Sequence, residues 1–154
     1  MNPSAEESAK SGQVFKMVKR NNRIEIPSTL DYLPKVDEFI ERRLRKLRIT
    51  KDQIADIAIS VSEAVTNAVK HGNRNDISKR VKISFKADAS SVEVTVEDEG
   101  GGFDPSCVES PIEEQNLFKE QGRGILILKS LMDKVDFRCE PNKGTVVKMV
   151  KFLA

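Results

Sequence analysis

Apolar residues recur along this chain with two different periods, and the switches between them mark its elements. Val14, Lys16 and Val18, followed by Arg23 to Ile26, predict two short strands about an Asn21-Asn22 turn, since asparagine tolerates the positive φ of a tight hairpin. Pro27 ends that segment. Ser28 is expected to cap a helix from about Leu30 to Leu47, with Leu33, Val36, Ile40, Leu44 and Leu47 at helical spacing. Pro34 falls in its first turns and moves the expected start of regular helix toward itself. Thr50-Lys51-Asp52-Gln53 has the form of a capping box. Behind it Ile54, Ile57, Ala58, Val61, Val65 and Ala68 hold three-and-four spacing for about four turns, and Gly72 stands where a left-handed C-terminal residue is expected.

After that helix the period changes to two. Val81, Ile83 and Phe85 alternate with Lys82, Ser84 and Lys86, and Val92, Val94 and Val96 alternate with Glu93, Thr95 and Glu97. Ala89-Ser90-Ser91 is the expected turn between these antiparallel neighbours. No period holds from Gly100 to Gln121, a long glycine- and proline-containing stretch of the kind that serves as a lid or binding segment. Helical spacing returns in Ile125, Leu128, Leu131 and Met132. Two last strands, about Val135–Cys139 and Thr145–Phe152, flank a Pro141-Asn142-Lys143-Gly144 turn. This order predicts an α+β fold: a two-layer α/β sandwich with a mostly antiparallel mixed sheet and helices on one face.

Composition narrows the function. A chain of 154 residues suits one domain. Lys+Arg 26 against Asp+Glu 24 leaves a net charge of +2, too balanced for binding nucleic acid or an anionic membrane through bulk charge. Residues 1–12 read as a disordered polar tail and not as a signal peptide, with the folded domain over 13–154. No apolar run is long enough to span a membrane. Cys107 and Cys139, the only two cysteines, are expected as reduced thiols in a cytoplasmic protein.

Three segments carry residues that stability alone does not explain. In the first, Glu63 and Asn67 stand four apart on the long helix, on one side and offset from its apolar stripe, with small Ala64 and Ala68 beside them. An amide oxygen at Asn67 suits Mg²⁺, and a carboxylate at Glu63 can accept a proton; a plain solvated helix face is the competing reading. In the second, Asp98-Glu99-Gly100-Gly101-Gly102 follows a strand, where glycines weaken the sheet but let backbone approach a flat ligand. Asp98 then becomes a buried acceptor, against the alternative of an ordinary turn. In the third, Gly122-Arg123-Gly124 opens a helix, and the N–H groups of a glycine-rich helix entry form an anion site. It lacks the Walker pattern, and no βαβ unit surrounds it.

Taken in order, E-A-V-T-N-A-V-K-H-G-N, D-E-G-G-G-F-D-P, G-R-G-I-L-I-L-K-S-L-M-D and K-G-T-V-V resemble the GHKL (Bergerat-fold) ATP-binding superfamily, and within it the bacterial anti-sigma-factor serine/threonine kinases. The resemblance runs from about Val14 to Phe152. It implies that Asn67 holds Mg²⁺ against the phosphates of ATP and that Glu63 is the general base. It implies that Asp98 accepts the adenine amino proton, with Gly100 and Gly102 lining the base and Thr145 near it. Gly122 and Gly124 correspond to phosphate-side glycines, residues 105–121 to the ATP lid, and Arg123 and Lys70 to basic neighbours of the phosphates.

The function implied is an anti-sigma factor that phosphorylates an anti-anti-sigma (STAS-domain) protein and sequesters a sigma factor. Such proteins are typically homodimers, and the N-terminal strand and first helix are the expected dimer surface. A nucleotide-binding partner switch without phosphotransfer is the alternative, although a pure binding module would not need Glu63. An isolated catalytic domain working with a separate histidine phosphotransfer protein is a third reading, which the product separates, since phosphoserine survives acid and phosphohistidine does not. His71 is read as structural, and the Glu41–Arg48 run as a solvated helix face.

Overall fold

The computed structural model of the chain describes residues 16–100, 122–140 and 143–153. The expected tail over 1–12, Gly102, Cys107 and the expected lid over 105–121 lie outside them. The elements are β1 (Val18–Arg20), β2 (Arg23–Pro27), a 3-10 turn (Leu30–Tyr32), α1 (Leu33–Leu44), α2 (Lys51–Asn67) with a π-helical turn (Ala68–Gly72), β3 (Arg80–Ala87), β4 (Ser91–Asp98), α3 (Gly122–Leu131), β5 (Lys134–Glu140) and β6 (Gly144–Phe152). The strands form one sheet in the order β1-β2-β3-β4-β6-β5, and each neighbouring pair is antiparallel.

Alternation decides which face the helices cover. Ile24, Ile26, Val81, Ile83, Phe85, Val92, Val94, Val96 and Met149 turn inward and are buried in one cluster with Phe39, Ile40 and Leu44 of α1, Ile57, Val61 and Val65 of α2, and Leu128 of α3. The opposite face stays polar, as an antiparallel sheet with one solvated side requires. There Lys82 pairs in register with Glu25 on one side and Glu97 on the other. Lys148 Nζ reaches Glu93 Oε1 at 3.5 Å. At the far end of α3, Lys151 Nζ donates to the Leu131 carbonyl at 2.6 Å and to Asp56 Oδ2 of α2 at 3.0 Å, tying two helices to β6.

The capping box is present as the sequence predicts. Thr50 Oγ1 accepts from the Gln53 N–H at 3.1 Å, and Gln53 Oε1 accepts from the Thr50 N–H at 3.0 Å. Gln53 Nε2 donates in addition to the Phe152 and Leu153 carbonyls, so one side chain joins the start of α2 to the end of β6.

Four expectations are corrected. Ser28 does not cap the first helix: Thr29 caps the 3-10 turn, accepting from the Asp31 N–H at 3.3 Å, while buried Ser28 bonds elsewhere. α1 ends at Leu44, and Leu47 follows as a partly buried loop residue packed on the core. Gly72 is not a left-handed helix terminator; it lies inside the π-helical turn, which the Asn73 N–H closes onto the Ala68 carbonyl at 2.8 Å, and the positive φ falls on Arg74 (52°) and Asn75 (59°). Cys139 is disulfide-bonded and not a reduced thiol, an expectation that rested on compartment chemistry, which the fold does not encode.

Removing either half of the box should register in chemical denaturation. Thr50→Ala is expected to lower stability by about 1 kcal/mol. Gln53→Ala is expected to cost more, roughly 1–3 kcal/mol, because the bonds to Phe152 and Leu153 go with it. An unchanged slope on denaturant would assign both losses to the native state.

Candidate functional site

The long helix and its π-helical continuation carry or adjoin polar residues at two places along their length. Glu63 and Asn67 are half-buried, one turn apart on α2, and among the described residues the structure gives neither side chain a hydrogen-bond partner. Nine residues separate Glu63 from Gly72, a run of roughly 13 Å at the helical rise. The helix thus spaces two chemically distinct corners along one line.

The first corner is where α3 begins. Gly124 sits so close to α2 that a Cβ added to it would stand 2.9 Å from Asn67 Nδ2 and 3.1 Å from Glu63 Oε2. A side chain at this position would have to displace the ends of both of those side chains for the first turn of α3 to settle so close. Gly122 is the first residue of α3 and Arg123 the second, with no acid in that turn. The N–H groups of a first helical turn have no partner inside the helix, and they carry its positive dipole end. The corner therefore presents the positive pole of a helix beside an amide and a carboxylate, which suits a phosphate chain carrying a cation.

The second corner is built round Asp98, the last residue of β4 and only 9% exposed. The alternation that buries Val92, Val94 and Val96 carries Asp98 inward as well. Its Oδ1 accepts from the Gly100 N–H at 2.9 Å and the Thr145 N–H at 3.1 Å. Three glycines crowd it. A Cβ at Gly72 would overlap the carboxylate outright; one at Gly100 would stand 2.9 Å from Oδ1 and 2.8 Å from the Gly72 carbonyl oxygen. Gly144 combines a φ of 107° with contact against the Asp98 backbone, so two reasons demand glycine there. On the far side Thr145 Oγ1 lies 3.3 Å from Cys139 Sγ.

The structure thus brings Glu63, Asn67 and Gly124 together at one end, and Asp98, Gly100 and Thr145 at the other. Lys70 is exposed on the π-helical turn, and His71 is half-buried there. Gly102 lies outside the described residues. Sequence reasoning missed Gly72 and Gly144 as walls of the Asp98 corner, and gave Asn73 no role. Gly144 had a readable signal, since it precedes the strand partner of Asp98's neighbours. Gly72 had none, because its close contact is with a residue far along the chain.

The donor set fits a divalent cation shared with a phosphate ligand. Among the described residues no three His, Cys, Asp or Glu side chains gather into a metal-binding group. Asn67 offers a hard amide oxygen with the Glu63 carboxylate beside it, which matches Mg²⁺ held by one or two protein ligands with substrate phosphates and water supplying the rest. Away from the site, on α1, the Asp37 carboxyl is pushed up by burial and then by Glu41.

Comparison with known proteins bears on this geometry. Residues 26–151 match the histidine kinase-like ATPase domain. The chain is 30% identical over 135 residues to the serine-protein kinase RsbW of Staphylococcus aureus, covering 83% of this chain and 84% of that protein. It is 40% identical over 111 residues to the anti-sigma F factor of Geobacillus kaustophilus, covering 68% of this chain and 73% of that protein. Among solved structures, the RsbU and RsbW domains of a Mycobacterium tuberculosis protein superpose with a TM-score of 0.58 at 21% identity, over 85% of this chain and 32% of that one, a likeness of fold. No helix among the described residues is long and apolar enough to cross a membrane. A matching domain over most of the chain, with relatives aligned over 68% to 83% of it, makes this protein a member of the histidine kinase-like ATPase family, the GHKL superfamily, alongside the RsbW serine-protein kinases and the anti-sigma F factors.

Proposed function

We propose that the chain is an ATP-dependent serine/threonine protein kinase that also acts as an anti-sigma factor, phosphorylating an anti-anti-sigma (STAS-domain) protein and holding a sigma factor until that protein displaces it. The observation that carries this reading is the meeting of Glu63 and Asn67 at Gly124, where the first turn of α3 presses on both side chains. A module that only bound nucleotide would need the phosphate corner and the Asp98 corner, but no carboxylate at the phosphate end.

Each residue has a defined task in this reading. Asp98, held by two backbone N–H groups through Oδ1, accepts from the adenine amino group. Gly72, Gly100 and Gly144 keep side chains off the carboxylate, and Thr145 stands beside it. The N–H groups of Gly122, Arg123 and Gly124 receive phosphate oxygens. Asn67 would hold Mg²⁺, which would supply charge neutralisation at the phosphates, most of what phosphoryl transfer asks of a protein. Glu63 takes the proton of the incoming hydroxyl. The reading places the protein in the cytoplasm as a homodimer joined through β1 and α1; among the described residues β1 is the outer strand of the sheet, the kind of edge a second copy could pair with.

Purified protein incubated with labelled ATP, Mg²⁺ and STAS-domain proteins from the same cell is expected to place acid-stable label on one serine or threonine. Label that is acid-labile, or no transfer despite tight ATP binding, would reject the kinase reading and leave a binding switch. Glu63→Gln is expected to reduce transfer by roughly 10²–10⁴ with ATP affinity nearly intact; equal losses of both would remove Glu63 from the base role. Asp98→Asn is expected to weaken ATP binding about tenfold or more in calorimetry, since a charge-assisted acceptor is worth roughly 1.5–3 kcal/mol.

A further inference from the structure

Asn73 is 1% exposed, belongs to no strand, and follows directly on the π-helical turn. Its side chain makes three hydrogen bonds, each to a different segment. Nδ2 donates to Ser28 Oγ at 2.8 Å, just past β2, and to the Arg80 carbonyl at 3.0 Å, where β3 begins. Oδ1 accepts from the Glu99 N–H at 2.8 Å, just past β4. The Ser28 hydroxyl donates in turn to the Lys79 carbonyl at 2.6 Å. Both amide protons and one acceptor site are therefore spent. Burying an amide costs free energy unless its bonds are made, so this one is present for what it joins.

The position it joins is the one the ladder leaves out. β3 and β4 pair as far as Val81 with Asp98, so Glu99 has no ladder partner for its N–H. Asn73 supplies the missing acceptor and pins the peptide that links Asp98 to Glu99. Glu99 is held from its other end too, Oε2 accepting from the Arg80 N–H at 2.6 Å. The next N–H along, that of Gly100, is one of the two that hold Asp98 Oδ1. The Gly72 carbonyl, one residue before Asn73, packs against Gly100.

We propose that Asn73 is a positioning residue for base recognition: its amide clamps the Asp98–Gly100 turn and so sets the direction in which the Asp98 carboxylate meets the adenine. This rests on the reading of Asp98 as the adenine acceptor. Asn73 touches no nucleotide; it acts through Glu99 and Gly100 on Asp98. Loss of the clamp lets the turn relax and the carboxylate rotate, which degrades recognition of the base and leaves the phosphate corner, on the other side of α2's span, as it was.

The test compares dissociation constants for ADP and IDP, measured calorimetrically on the full chain with Mg²⁺. Inosine carries a carbonyl oxygen where adenosine carries an amino group, so IDP forfeits the bond to Asp98. Asn73→Ala is expected to weaken ADP about tenfold or more while IDP changes little, collapsing the IDP-to-ADP ratio. Ser28→Ala, which removes one acceptor and leaves Asn73 in place, is expected to move the ratio the same way by a smaller factor. Circular dichroism and thermal melting identify which variants are folded; if Asn73→Ala is not, the Ser28→Ala ratio decides. A ratio unchanged in the folded variants, or equal weakening of ADP and IDP, overturns the proposal. Asp98→Asn run in parallel separates the two readings. If it collapses the ratio and the Asn73 and Ser28 variants do not, this proposal alone fails; if it too leaves the ratio unchanged, the adenine role of Asp98 fails, and this proposal with it.

Discussion

A carboxylate at the inner end of a central strand organises this protein. Asp98 is nearly buried, and a buried charge is tolerated only where hydrogen bonds compensate its lost hydration. Here the compensation is backbone: N–H groups from Gly100 and Thr145 converge on a single oxygen. Backbone donors can approach so closely only if no side chain intervenes, which is why glycines at 72, 100 and 144 surround the group. Three distant stretches of chain are thereby committed to one atom's surroundings. The sheet order follows the same logic, since β4 lies between β3 and β6 and so receives contributions from both neighbours.

The second corner obeys a different constraint. Around Asp98 three glycines bring backbone in close; at Glu63 and Asn67 a single glycine, Gly124, brings the first turn of α3 against two side chains. Polar groups left without partners among the described residues at a helix entry suit a ligand that brings its own charge and its own water. The two corners share α2, whose stiffness turns a separation in sequence into a fixed separation in space. A flexible segment carrying the same residues could not hold base and phosphate ends in register.

Much of this was legible in the sequence because it depends on local pattern. The capping box at Thr50 and Gln53, the alternation of β3 and β4, and the helix through Leu128 all follow from spacing between near neighbours. Glu63, Asn67 and Asp98 stood out because each is polar at a place where folding alone favours something else. What escaped was long-range. Ser28 reads as a helix cap, yet its hydroxyl serves Asn73 and Lys79, about fifty residues away. Gly72 reads as a helix terminator, yet it is glycine because Asp98 lies against it. The π-helical turn left no mark in the apolar spacing, since its buried Ala68 and Val69 satisfy an ordinary helix equally well.

The parity of β4 has an evolutionary corollary. Val92, Val94, Val96 and Asp98 share one side of the strand, so core packing and ligand chemistry are written in the same odd-even phase. Gaining or losing a single amino acid between Val92 and Asp98 would put the residues on its two sides out of phase, so the acid could not face inward together with every one of the valines. Length variation among descendants of this gene is thereby steered to the hairpin tip at Ala89–Ser90, where a change of length leaves the phase intact.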